Sequence, residues 1–323
     1  MTARVSVVIP CFNAAATVGE TIASALTQSF RDLEVIIVDD GSTDRSAEII
    51  RSFGDRVIAE FGPNRGASSA RNKGTARAAG AYIQYLDADD LLVAEAVEQR
   101  VAALDGTGAD VAYSDWQRFE MGPGGSRRTG DIVARRMEDV DPDPEIACAT
   151  KFWAPPAALL YRRGIVDAIG AWHPSLPIIQ DARFLFDAAR RHARFVHVPG
   201  VGAFYYSTGA SLSRGSLPAF TRDVFRNGTE LQALWEADGP LPQRRKDALA
   251  GIFDMTARNF FQLGLPEFDN AVARFKAVSE RRFGYPEIAQ HVSRLAGRKV
   301  ALTALGAGVG LARGMKSLFD YKQ

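Results

Sequence analysis

The sequence predicts an α/β protein, a doubly wound sheet followed by a helical extension, and three observations carry that reading. Val5 to Ile9 and Leu33 to Val38 are nearly continuous β-branched runs, the pattern of parallel strands buried on both faces. Strand and helix patterns alternate up to residue 90, as β-α-β units require. From Pro218 onward only helical spacing remains. Residues 1–216 are therefore expected to form the sheet domain, divided near 104 into two halves, and 217–323 the extension.

A chain of 323 residues with 46% hydrophobic and 24% charged content can bury a full core. Its net charge of +1 supplies no global field for nucleic acid. Cys11 and Cys148 make no metal or disulfide framework, so a reducing, cytoplasmic compartment is expected. The segment MTARVSVVIP enters a strand without an apolar leader, and no apolar stretch reaches membrane-spanning length.

In chain order, Val5 to Ile9 reads as a central strand ended by Pro10, and Thr17 to Thr27 as a helix with Val18, Ile22, Ala25 and Leu26 on one face. After the Leu33 strand, Asp39-Asp40-Gly41-Ser42-Thr43-Asp44 is a tight turn into the helix carrying Ile49 and Ile50. Val57 to Glu60 is a short third strand. Ala67 to Ala79 is a helix bearing Arg71 and Lys73, and Tyr82 to Leu86 is a fourth strand. Val111 to Asp115 is another, whereas Met121 to Thr129 and Met137 to Pro144 read as polar surface loops. A helix is expected to run to Arg191, with Asp181 placed to cap its start.

The fourth strand ends in Asp87, Asp89 and Asp90, three carboxylates in four positions at a sheet edge where α/β proteins bind ligands. Such crowding is relieved by a divalent cation, a cluster of donors or full solvation. A second acidic pair, Asp39-Asp40, ends the second strand, and the two clusters suit a nucleoside diphosphate with its metal. The first turn, Pro10-Cys11-Phe12-Asn13-Ala14, has neither a Gly-X-Gly-X-X-Gly pattern nor a Walker lysine, which disfavours redox dinucleotide enzymes and P-loop nucleotidases.

Four blocks taken together, VSVVIPCFNAAATVGETIASALTQSF, EVIIVDDGSTDRSAEII, NRGASSARNKGTARAAGAYIQYLDADD and IIQDARFLFDAAR, resemble glycosyltransferase family 2, the inverting nucleotide-sugar enzymes of the GT-A fold. The likeness covers roughly residues 4 to 215, about two thirds of the chain. It implies a non-processive transferase with a nucleotide-sugar donor, a UDP-sugar first, a Mg²⁺ or Mn²⁺ ion, and a glycan or lipid-linked acceptor. By the same resemblance Pro10 and Phe12 surround the nucleoside, Asp40 receives a base N–H, Arg71 lies near the diphosphate and Asp87 near the ribose. Asp89 holds the metal, Asp90 faces the sugar pocket, and Asp181 is the general base. Gln180 stands where the family carries an acid, and Trp153 offers either an acceptor-side stacking face or a core ring. Phe12 likewise has a plain core alternative.

Two departures are visible. Where relatives carry Tyr-Arg and a metal-side His, this chain has Tyr206 and Thr208, and the Ser-rich loop to Ser213 is expected to act as a lid. The Gln-X-X-Arg-Trp string of processive synthases is missing downstream of Asp181. The apolar stretch Val300 to Ala312, flanked by Arg294, Arg298, Lys299, Arg313, Lys316 and Lys322, fits either peripheral membrane contact through 294–323 or a buried or dimer-forming helix. A nucleotidyltransferase, or a binding protein on a degenerate transferase domain, is the alternative in function.

Overall fold

The computed structural model describes residues 4–122, 126–207, 215–281 and 283, and divides into two compact units. The first comprises Met1–Val140 and Phe152–Ser211, the second Asp141–Lys151 and Leu212–Gln323. Thr208 to Ser213 and the basic tail at 294–323 lie outside the described residues, and with them the lid and membrane expectations. No helix among the described residues is long and apolar enough to cross a membrane.

The first unit is built on a nine-stranded mixed sheet. Its first half is β1 (Val5–Cys11), α1 (Val18–Leu26), β2 (Leu33–Asp39), α2 (Ser46–Ser52), β3 (Ile58–Phe61), α3 (Ala67–Arg77) and β4 (Tyr82–Tyr85). There follow β5 (Leu91–Leu92), α4 (Ala96–Thr107), β6 (Val111–Met121), β7 (Arg127–Val133), α5 (Met137–Val140), β8 (Leu159–Arg162), α7 (Arg163–Ile169), α8 (Gln180–Arg190) and β9 (Phe195–Tyr206), with α6 (Pro144–Thr150) in the second unit. Strand order is β3-β2-β1-β4-β8-β6-β9-β5, with β7 paired to β6. The first four strands are mutually parallel, and β8 enters antiparallel beside β4.

Three expectations change. Pro10 does not end β1, because β4 pairs only as far as Val8; the N–H that proline lacks would face a side where that ladder has already stopped. Arg127 to Thr129, expected in a loop, instead begin a strand, β7, antiparallel to β6, in which Thr129 and Val133 pair with Phe119 and Trp116. Met137 to Pro144 contains α5 and the start of α6, and Asp143 caps α6 by accepting from the Glu145 amide at 3.0 Å.

Behind β4 lies a fully buried arginine. Arg100 of α4 donates to Gln84 Oε1, to the Ala157 carbonyl and to Ser114 Oγ, each at 2.8 Å, and so ties β4 to β6. Gly202 of β9 is obligatory here, since a Cβ would stand 2.4 Å from Ser114 Oγ and 2.5 Å from the guanidinium.

The second unit is helical: α6, α9 (Leu217–Ala237), α10 (Gln243–Leu263) and α11 (Phe268–Val278). Gly228 lets α9 approach α10 closely, because a Cβ would meet Ile252 at 2.6 Å, and Phe225 packs edge-on against Phe253 and Phe260. Helix α6 is held by Glu145, which accepts from Trp235 Nε1 at 2.6 Å and pairs with Arg245 at 3.2 Å. The Glu145 contacts account for the place of α6 with the later helices although it lies within residues 1–216.

Candidate active site

The site is assembled at the carboxyl ends of β1, β2 and β4. The turn after β1 is locked to the turn after β2: Asn13 and Ala14 amides donate to Ser42 Oγ and Ser46 Oγ at 2.9 and 2.8 Å, and Asn13 Oδ1 accepts from the Thr43 amide at 2.8 Å. Asn13 adopts a left-handed backbone, φ 50°, which asparagine tolerates. Between Asn13 and buried Pro10, Phe12 is 49% exposed, so its alternative as a core residue falls. Gly41, φ 77°, is required, because a Cβ would lie 2.7 Å from the Asn64 amide nitrogen.

Both oxygens of Asp40 accept main-chain N–H groups at the entry to α3, from Arg65 at 2.9 Å and Gly66 at 2.7 Å. Beside it, buried Asp39 accepts from the Ser42 amide through Oδ2, while its Oδ1 has no partner. The acceptor left over in this pair is thus on Asp39 rather than on Asp40. Which member of an Asp-Asp pair turns toward the main chain depends on the path of the chain 25 residues on.

Arg71 is buried, forms an ion pair with Asp87 and stacks over Trp172 at 4.5 Å, with Nε and Nη1 unpartnered. Asp90 is fully buried; its Oδ1 accepts from the Tyr206 amide at 2.9 Å and its Oδ2 has no partner. Burial and the neighbouring Asp89 and Asp87 charges push its carboxyl well up. Asp89 is exposed at its surface, while the protein packed around it and the Asp87 charge push its carboxyl up to about 7. Among the described residues it has no ion-pair partner, and no group of three or more His, Cys, Asp or Glu is arranged to hold a metal.

Asp181 lies on the other side. It is the second residue of α8, whose N-cap is Ile179, so the capping role falls. Its Oδ2 accepts from Trp153 Nε1 at 2.7 Å and its Oδ1 is buried without a partner. Trp153, half-buried, meets Trp116 and Tyr205 edge-on at 5.5 and 5.6 Å. Gln180 is buried and engaged through both its oxygen and its nitrogen, accepting from Ser68 Oγ at 2.5 Å and donating to the Pro177 carbonyl at 3.1 Å, and the Ser68 bond fastens α8 to α3. Trp172 stacks on Phe184 of α8 at 4.2 Å and meets Tyr85 of β4 at 4.8 Å, so the ring under Arg71 also seats the helix of Asp181. Asp115 is occupied, accepting from the Gly200 amide at 2.9 Å and bonded to His197 Nε2 at 2.7 Å across the bulge between β6 and β9.

Tyr205 joins the two sides. Its hydroxyl is pushed strongly toward the neutral form, first by burial and then by the charges of Asp90, Asp181, Asp87 and Asp89. Tyr205 packs edge-on against Trp153, the donor to Asp181, and the amide of the next residue donates to Asp90, so this stretch of β9 links the two sides. The string Tyr205-Tyr206 was the only signal, and nothing in it says that one residue offers a ring and the next an amide.

Residues 6–169 match the family model described as Glycosyl transferase family 2. An uncharacterized glycosyltransferase of Haemophilus influenzae is 41% identical over 101 residues, 30% of this chain and 40% of that protein. Glycosyltransferase GlyG of Streptococcus pneumoniae is 33% identical over 128 residues, 38% of this chain and 42% of that protein. The matches thus span less than half of these relatives. Among solved structures, S. aureus TarS 1-349 in complex with UDP-GlcNAc superposes with TM-score 0.63 at 20% identity, covering 92% of this chain and 88% of that one. The mannosyltransferase PcManGT of Pyrobaculum calidifontis, in complex with GDP-Man and Mn²⁺, gives 0.57 at 18% identity over 99% and 85%. At such identities these two speak for the GT-A fold alone.

Proposed function

The chain belongs to glycosyl transferase family 2, and from that premise we propose that it moves a sugar from a nucleotide-diphosphate donor to a hydroxyl of a glycan or lipid-linked acceptor, with inversion and one addition per encounter. The observation that best supports the reading is the short chain of contacts through Tyr205. Asp181 accepts from Trp153, Trp153 packs edge-on against Tyr205, and the next amide, that of Tyr206, donates to Asp90 of the acidic cluster after β4.

In this reading the Asp39-Asp40 pair and exposed Phe12 receive the nucleoside, with Asp39 Oδ1, buried and without a protein partner, the acceptor left for a base N–H. Arg71, with two unpartnered donors, faces the phosphates while Asp87 steadies it. A carboxylate crowded by like charges and without an ion-pair partner among the described residues fits a hard cation that keeps other positions for phosphate oxygens and water, so Asp89 would hold Mg²⁺ or Mn²⁺. When bound, such an ion neutralises charge on the departing diphosphate. Asp181 takes the proton from the acceptor hydroxyl as its oxygen bonds to the anomeric carbon and the bond to the diphosphate oxygen breaks on the opposite face. Oδ1, unpartnered in the protein, is the atom available for that proton.

UDP-N-acetylglucosamine and GDP-mannose, the donors bound by the two structural relatives, are the first to try. The test is release of UDP or GDP from a panel of nucleotide sugars, with thermal shifts, each with and without Mn²⁺ or Mg²⁺. Metal-dependent stabilisation by a nucleoside diphosphate together with turnover of one sugar nucleotide is expected. Binding that ignores the metal would reject the role of Asp89, and no turnover of any donor would favour a binding protein.

A further inference from the structure

We infer that Trp153 is the positioning residue for Asp181: its indole N–H fixes one carboxylate oxygen so that the other is presented to the acceptor hydroxyl. This rests on the reading of Asp181 as the base. Three observations carry it.

The first is the bond itself. Trp153 Nε1 donates to Asp181 Oδ2 at 2.7 Å, and an indole nitrogen can only donate, so the contact has one polarity and occupies that oxygen as an acceptor. The second is the asymmetry left behind. Oδ1 is buried with no partner, a state that costs about 1–3 kcal/mol in a folded protein and is relieved when a substrate hydroxyl arrives. A free carboxylate could rotate and exchange its oxygens; one held at Oδ2, on the first turn of a helix that does not use it as a cap, cannot do so without breaking the indole bond.

The third observation is that the donor is itself held. Trp153, Trp116 and Tyr205 pack mutually edge-to-face, with ring centroids 5.5 to 5.6 Å apart. Tyr205 is anchored through the next residue, whose amide donates to Asp90 at 2.9 Å. The indole is therefore oriented by the same strand that holds the acidic cluster, and the base is set relative to the donor side through rings rather than through a direct bond. Trp153 thus acts at the acceptor side as a hydrogen-bond donor to the base, not as a sugar-stacking face.

The test replaces Trp153 by 3-benzothienylalanine, which keeps the two rings and lacks the N–H, and by Phe. Both are compared with Asp181→Asn and with the isostere combined with Asp181→Asn. Turnover is read as UDP or GDP release from UDP-N-acetylglucosamine or GDP-mannose with Mn²⁺, using 4-nitrophenyl glycosides as acceptors. The isostere should lower kcat about tenfold to a hundredfold, the worth of one hydrogen bond to a charged group, with KM for donor and acceptor and the melting temperature unchanged. In the Asp181→Asn background it should cost nothing further, since its effect passes through that carboxylate. A near-normal kcat for the isostere beside a crippled Asp181→Asn would overturn this inference and leave the base in place. Near-normal Asp181→Asn would overturn the base and this inference with it. An additive loss in the double variant would mean that Trp153 acts on the substrate directly, which also overturns it. Independently of turnover, the indole ¹⁵N–¹H resonance that disappears in Trp153→Phe should move upfield in Asp181→Ala; an unmoved resonance would reject the bond.

Discussion

The two sides of the proposed site, one for the nucleotide and one for the acceptor, are held by different means. On the nucleotide side the carboxylates are gripped by main-chain N–H groups: Asp40 by Arg65 and Gly66, Asp39 by Ser42, Asp90 by Tyr206. On the acceptor side Asp181 is gripped by a side chain, the indole of Trp153, which is in turn seated among rings from β6 and β9. Main-chain donors are supplied by any sequence that adopts the turn, so they fix geometry irrespective of neighbours. Ring donors depend on which side chains are present, so the acceptor side can be retuned without disturbing the donor side.

The comparison is broken most severely at Asp181. Asp181→Asn should reduce transfer by roughly a hundredfold to ten-thousandfold, the worth of a general base, while nucleotide affinity and melting temperature stay near wild type. Because Ile179 is the N-cap, no loss of helix stability should accompany it. A parallel fall in nucleotide affinity would show that the two sides are not separable.

Asp89→Asn should act only on the donor side, bringing nucleoside-diphosphate affinity in Mn²⁺ down to the value measured in chelator. Calorimetry in which the metal still raised affinity would move the ion to another carboxylate.

The Asp39-Asp40 pair sharpens the contrast within one side. Asp40→Ala leaves the Arg65 and Gly66 amides without their acceptor and should cost about 1–3 kcal/mol of stability in denaturant unfolding. Asp39→Asn, which alters an oxygen without a partner, should weaken nucleotide binding more than it lowers stability. The reverse pattern would return the base-reading role to Asp40.

The smallest effect is on the thiols. Cys11, buried beside Phe12, is pushed up to about 11 by burial and the Asp39 charge, and burial raises Cys148 further. At pH 8 about one Cys11 in a thousand would be thiolate, so neither cysteine should react with a disulfide reagent in the native protein and both should react once it unfolds. With the folded value above the unfolded one, the stability contributed by the neutral Cys11 thiol is complete below about 9 and is lost as pH rises toward 11. Rapid native labelling would contradict the packing after β1.

How much of this was legible follows the same division. The first four strands could be read because Val5 to Ile9 and Leu33 to Val38 are buried on both faces and need no partner to declare themselves. β7 could not: Arg127-Arg128-Thr129-Gly130-Asp131 is exposed throughout, has no alternation, and is a strand only because β6 offers it a ladder. β9 was hidden by Pro199 and Gly200, which occupy a bulge rather than a break. Asp89 and Asp181 carry local motifs and stood out. Trp153 could be read as an acceptor-side ring but not as the donor to Asp181, and Tyr205 not at all, because a ring's partners are known only from what it touches, and the indole reaches across 28 residues to do so. Trp172 escaped for the same reason.

That strand β7 is exposed along nearly its whole length has a consequence for the chain in concentrated solution. A strand paired on one side only offers unused N–H and C=O groups to any other extended peptide, and Ile132, 55% exposed, would reward such an addition. Arg127, Arg128 and Asp131 line the same ribbon, and a second copy laid alongside in register would bring like charges together. The hairpin that widens the sheet is thereby guarded against growing it further, and neutralising Arg128 and Asp131 together would turn this rim into a seed for aggregation.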